Sequence, residues 1–128
     1  MNYLTKDDLL DLHAYVVTRY GGRLGIASQD RLISAVDAPR QVLFETELYP
    51  DLPSKGAALI FLLLKNRPFL SSNEGTALMA LLRFLDINGA ALRSDIGDAE
   101  LLWLVRAVSY SDLDKVAIES WLRDSIAS

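Results

Sequence analysis

Cysteine is absent from this 128-residue chain, and histidine occurs once, as His13. The first absence excludes disulfides, thiolate zinc sites and cysteine nucleophiles. The second excludes a multi-histidine metal centre and any triad that needs a second histidine. No Lys/Arg cluster is present, and the net charge is −4 with a pI near 4.9. Nucleic-acid binding usually leaves a basic footprint, so no nucleic-acid partner is expected. The longest apolar run, Ala57 to Leu64, is far shorter than the ~20 residues of a membrane-spanning helix. It reads as a buried helix instead. Asp7 and Asp8 lie where a signal peptide would carry an apolar core, so a soluble, cytoplasmic protein without membrane contact is expected.

What the chain has is helical periodicity, with no convincing alternation of strand type. Its length suits one domain, residues 1–128, able to bury a core without metals or disulfides. Thr5 with Asp8 resembles a capping pair. Leu9, Leu12, Val16 and Tyr20 follow at helical spacing, and Gly21-Gly22 supplies a stop. Ser28 caps a second helix through Leu32, Ile33 and Val36, which Pro39 ends. Gln41 to Pro53 reads as a short helix followed by an ordered loop. Pro53 suits the first turn of a helix reaching about Asn66. That helix is apolar on every side, as expected at the centre of a bundle. The Arg67–Ser72 loop leads to another apolar helix, Asn73 to Ile87, ended by Asn88-Gly89. Ala90 to Gly97 is irregular, with room for a short extended turn or hairpin. Asp98 is expected to cap a helix through Leu101, Leu104, Val105 and Val108. Ser111 with Asp114 forms a box-like start for a last helix through Val116, Ile118, Trp121 and Leu122. The expected fold is an all-α helical bundle with a central buried helix.

One stretch stands apart: Lys65-Asn66-Arg67-Pro68-Phe69-Leu70-Ser71-Ser72-Asn73-Glu74-Gly75-Thr76-Ala77-Leu78. It resembles the signature of the Fic/Doc family, Doc-like branch. That signature reads His-Pro-Phe, a variable residue, Asp-Gly-Asn-Lys-Arg, then Thr-Ala-Leu. Pro68, Phe69, Asn73, Thr76, Ala77 and Leu78 keep the pattern. Arg67 stands for the catalytic His, Ser71 for the metal-binding Asp, Ser72 for Gly, Glu74 for Lys and Gly75 for Arg. The likeness extends through Arg19-Tyr20-Gly21-Gly22, Glu47 to Leu52, Ala80 to Leu85 and Asn88-Gly89. It implies the family's helical fold and transfer of an AMP or phosphoryl group from a nucleotide to a protein hydroxyl. It also implies a partner, since Doc-type toxins are neutralised by an antitoxin whose flexible tail folds along the toxin.

The family's chemistry needs a base for the target hydroxyl, a carboxylate for Mg²⁺ and a helix N-terminus with cations for the phosphates. Arg67 stays protonated and is no base, though it can bind an anion. Ser71 offers a neutral hydroxyl where a charged metal ligand is expected. Glu74 and Gly75 replace two cations with one anion. Two unit charges 4 Å apart interact by about 4 kcal/mol at an effective dielectric near 20, so a carboxylate there opposes triphosphate binding. The spacing of Ser71 and Glu74 matches a capping box, which would turn the anion site into an ordinary helix start.

Other readings are plainer. Arg67 is expected to be a loop residue, and Thr76, Ala77 and Leu78 packing residues. His13 is placed in the opening helix, away from the motif, with a structural role. Trp103 and Trp121 are assigned to the core, and Asp7, Asp8 and Asp11 to a solvated face. The functional expectation is a degenerate Doc-like protein that binds a protein partner, with no cofactor expected. Its partner would be an antitoxin-like peptide or another copy of the chain. The alternative is a working transferase using ATP and Mg²⁺ through a rearranged site. There Arg67 would bind phosphate, Asn73 would orient it, and Glu74 would be the one candidate base in the motif.

Overall fold

Six helices among the described residues, 1–127, form a bundle in the computed structural model. They are α1 (Lys6–Tyr20), α2 (Gln29–Asp37), α3 (Leu52–Asn66), α4 (Asn73–Ile87), α5 (Asp98–Ser109) and α6 (Lys115–Ser125). α3 lies at the centre, packed chiefly on α4 and α6 and also on α2 and α5. Ala57, Ala58, Leu59, Ile60, Leu63 and Leu64 are buried there. Such a helix has no polar stripe to turn to solvent, so neighbours must cover it all round.

The helix ends follow local chemistry. Thr5 and Asp8 form a reciprocal capping box at α1, and Ser28 Oγ accepts from Arg31 N–H at α2. Asp51 and Ser54 form a second box at α3, with Pro53 in its first turn. Asp51 also accepts two hydrogen bonds from Arg123 of α6, at 2.7 and 3.1 Å. The Arg123 guanidinium holds the Asp51 carboxyl down at about 2.

Four expectations need correction. The stretch Gln41 to Asp51 contains no helix, and Leu52 and Pro53 already belong to the first turn of α3. Pro39 sits in a single 3-10 turn, Ala38–Arg40, and a hairpin follows: β1 (Val42–Leu43) against β2 (Thr46–Glu47). Its two turn residues, Phe44 and Glu45, hold φ of 50° and 66°. The fully buried Lys55 anchors this hairpin from α3, donating to the Pro39 carbonyl and to Glu47 Oε1, both at 2.9 Å. Burial alone would push the ammonium down, but the Glu47 and Tyr3 contacts outweigh it and its pKa lies above the ordinary value.

The last helix is capped by Asp114, whose Oδ1 accepts from Ala117 N–H at 2.8 Å. Ser111 lies in the preceding turn at φ 67° and accepts from Lys65 Nζ. α5 starts one residue earlier than expected, with Gly97 at the cap position and Asp98 already helical. Trp103, assigned to the core, is half exposed at 50% because it lies on the side of α5 turned away from α3. Trp121 does pack against the core and donates to Glu100. The irregular 90–97 segment is extended at Leu92, which bridges to Ile126 after α6. No helix among the described residues is long and apolar enough to cross a membrane.

Candidate functional site

The motif loop leaves α3 through Arg67, whose left-handed backbone (φ 45°, ψ 62°) caps the helix while its side chain stays exposed. Pro68 and Phe69 then turn inward and are buried. Asn73, also buried, closes the loop on itself. Its Oδ1 accepts from Phe69 N–H and its Nδ2 donates to Phe69 C=O, both at 3.0 Å.

The rest of the loop is zipped to the α1–α2 connection. The Pro68 carbonyl accepts from Ala27 and Ser28 N–H at 2.7 and 3.1 Å, and Leu70 N–H donates to the Gly25 carbonyl at 3.0 Å. Phe69 bridges to Ile26. Ser71 Oγ accepts from Arg23 N–H at 2.7 Å and donates to the Arg23 carbonyl at 3.1 Å. Ser72 Oγ donates to the Gly21 carbonyl at 3.2 Å. Gly22 makes this approach possible: its φ is 118°, and a Cβ there would sit 2.6 Å from both serine hydroxyls.

The expected Ser71–Glu74 capping box does not form. Ser72, not Ser71, occupies the cap position of α4, at φ 57° and with no side-chain hydrogen bond to the helix. Both hydroxyls are turned toward the Gly21–Arg23 backbone instead. The first turn of α4 therefore lacks a side-chain cap, and its leading N–H groups keep the electropositive character of a helix start. Glu74 lies in that same turn. Together with Gly75, Leu78, Asp98, Leu101, Leu102 and Val105 it lines a cleft of about 320 Å³ between α4 and α5. Gly75 packs closely on α1, where a Cβ would meet Val16 Cγ1 at 3.1 Å.

His13 is the residue that sequence reasoning misplaced. It is buried beneath the motif and stacks on Phe69, with ring centroids 4.0 Å apart and planes at 12°. Nε2 accepts from Gly25 N–H at 3.4 Å. That leaves the ring proton on Nδ1, which faces Thr76 Oγ1 at 3.2 Å. Burial pushes the His13 imidazole below its ordinary value, with the Arg23 backbone pulling weakly the other way. The available signal was periodic: Leu9, His13 and Val16 share the buried face of α1. The Arg23–Ile26 half of the zipper had no such signal, because its partners lie in a distant part of the chain.

The family model for Fic/DOC proteins matches residues 3–85, which contain the motif loop, the α1–α2 connection zipped to it and His13. The chain belongs to the Fic/DOC family. Toxin Doc of Mycolicibacterium smegmatis is 34% identical to it over 119 residues, covering 91% of this chain and 89% of that protein. The match runs past the motif into α5 and α6, so the likeness extends well beyond a shared loop.

Proposed function

We propose that this Fic/DOC protein is a Doc-like member that has lost the family's usual nucleotide-dependent transfer and acts by binding a protein partner. The observation that carries this reading is the state of Ser71. Its hydroxyl both accepts from and donates to the Arg23 backbone, so the position held by a metal-binding carboxylate in the signature is neutral and already engaged. Glu74 adds an anion at the start of α4, where a triphosphate would need cations. These residues do not fit a Mg²⁺–nucleotide. Arg67, exposed at the loop entrance, supplies charge but no base.

The kinship with Toxin Doc supports a protein partner of the antitoxin kind. The groove between α1 and α4 suits such a segment: Leu12, Tyr15 and Met79 give it an apolar floor, Asp8 and Asp11 make the α1 rim acidic, and Arg83 stands on the α4 rim. A helical peptide with an apolar face and a basic edge toward α1 matches that pattern.

A second reading, a rearranged transferase using ATP and Mg²⁺, is favoured by one observation: α4 carries no side-chain cap, so its leading N–H groups stay open to an anion. In that reading Arg67 assists the phosphate and Glu74 is the one carboxylate within the motif.

Calorimetry and thermal shift with Mg²⁺–ATP and Mg²⁺–GTP separate the two. The binding reading expects no saturable heat and no stabilisation. Saturation at micromolar nucleotide, which at 100-fold excess over Kd stabilises by about 2.7 kcal/mol, would overturn it.

A further inference from the structure

The outer face of α5 has no partner within the chain. Ala99, Leu102, Trp103, Arg106 and Tyr110 recur at spacings of three and four, so they share one side of the helix. Leu102 is 46% exposed, Trp103 50% and Tyr110 74%. A groove of about 420 Å³ runs among them. Leu102 also belongs to the wall of the cleft that holds Glu74 and Asp98, so the two hollows lie side by side along α5. Aromatic residues and arginine around a leucine are the composition enriched at the centres of protein interfaces.

Two charges on this face are placed symmetrically about Leu102, and a third, Asp112, lines the far end of the groove beyond Tyr110. Asp98 precedes Leu102 by four residues and Arg106 follows it by four. Each lies about 6 Å along the axis from Leu102, on the same row of side chains. Both are exposed, and neither has an ion-pair partner among the described residues. An antiparallel crossing of two α5 helices, centred on Leu102, sets each Arg106 opposite the Asp98 of the other copy. The small Ala99 beside the crossing lets the two helices come close.

We infer that α5 is a self-complementary dimer surface, joining two copies of this chain about a two-fold axis at Leu102. A two-fold interface must match itself, and a helix with an acid and a base equidistant from an apolar centre does so only when its copy runs antiparallel. In the dimer each Arg106 enters the mouth of the acid-lined cleft at Asp98 and Glu74, so pairing covers the start of α4. This surface is separate from the α1–α4 groove. It rests on α5 alone, whichever way the question of nucleotide transfer is resolved.

Sedimentation of the full chain across a concentration series, with Asp98→Arg, Arg106→Asp and their equimolar mixture, tests the inference. The parent should pass from monomer to dimer with a dissociation constant on the order of 10 μM, as suits a compact patch. Each single variant sets like charges together twice and should weaken its own pairing by about 10-fold or more. The mixture should recover it, because every Arg then meets an Asp, and recovery also proves both variants folded. Trp103→Ala should weaken the parent dimer while leaving the circular-dichroism spectrum unchanged. A parent that stays monomeric at about 500 μM, single variants that pair as well as the parent, or a mixture that recovers nothing would each overturn it.

Discussion

A proton arriving on His13 Nε2 would displace the Gly25 N–H that this nitrogen accepts. The same ring supports Phe69 and faces Thr76, so that proton acts on the α1–α2 connection and on both sides of the motif. Burial holds the imidazole below its ordinary value of 6.5, which means the unfolded chain takes up the proton at a higher pH than the folded one. Stability from keeping the ring neutral is complete above pH 6.5 and is lost as the pH falls through the folded-state value. The urea midpoint of the parent should therefore drop between about pH 7.5 and about pH 5.5, a range in which ordinary carboxylates stay ionised. His13→Gln should begin less stable, having lost the stacked ring, and should show a flatter profile over that interval. A parent midpoint that does not move there would show that His13 titrates as an exposed residue does.

Among the elements, the hairpin carries the most local strain. Phe44 and Glu45 both occupy positive φ, the geometry of a two-residue turn that ordinarily takes Asn-Gly. Each non-glycine residue in that region costs about 1–2 kcal/mol. Phe44 is also 92% exposed, so nothing within the chain offsets its position. Replacing the pair by Phe44→Asn and Glu45→Gly should slow amide exchange at Val42, Leu43, Thr46 and Glu47 about 5- to 30-fold, in line with about 1–2 kcal/mol of local stabilisation. Faster exchange in that variant would mean that the turn is held by contacts of Phe44 rather than by Lys55 and the strand pairing.

The same element shows what was legible from residues alone. Helix ends marked by Thr5 with Asp8, by Ser28, by Pro53 and by Asn88-Gly89 were readable, because caps and breakers act on neighbouring atoms. The hairpin was not, since its strands are two residues long and Phe44-Glu45 lacks the turn signature. Ser111 and Asp114 are both good caps three residues apart. The choice fell to Asp114 because the Ser111–Leu113 backbone donates to carbonyls of α5 and ends that helix. At the motif, the order Pro68, Phe69, Asn73 announced a loop entering a helix. The partner of Ser71 lies 48 residues earlier, and no local rule supplies a contact at that separation.

The whole molecule decides whether transfer chemistry could be rebuilt on this scaffold. Arg67→His, Ser71→Asp, Ser72→Gly, Glu74→Lys and Gly75→Arg together restore the signature, but the packing opposes two of them. Ser71→Asp keeps an acceptor for Arg23 N–H and sets a carboxylate against the Arg23 carbonyl, where a hydroxyl now donates. Gly75→Arg places a Cβ 3.1 Å from Val16 Cγ1, so the valine side chain must give by a few tenths of an ångström. Val16→Ala relieves that contact and costs about 1–3 kcal/mol for the buried methyl groups removed. The five-site variant should therefore bind Mg²⁺–ATP weakly and melt below the parent. The six-site variant, with Val16→Ala added, should bind it at least 10-fold more tightly than the five-site one, because its helix start is no longer crowded by the valine. Calorimetry on the three proteins side by side reads this ranking directly. If the six-site variant binds no better than the parent, the barrier to nucleotide lies outside the loop. The Gly21–Arg23 backbone that now engages both serines would then be the place to look.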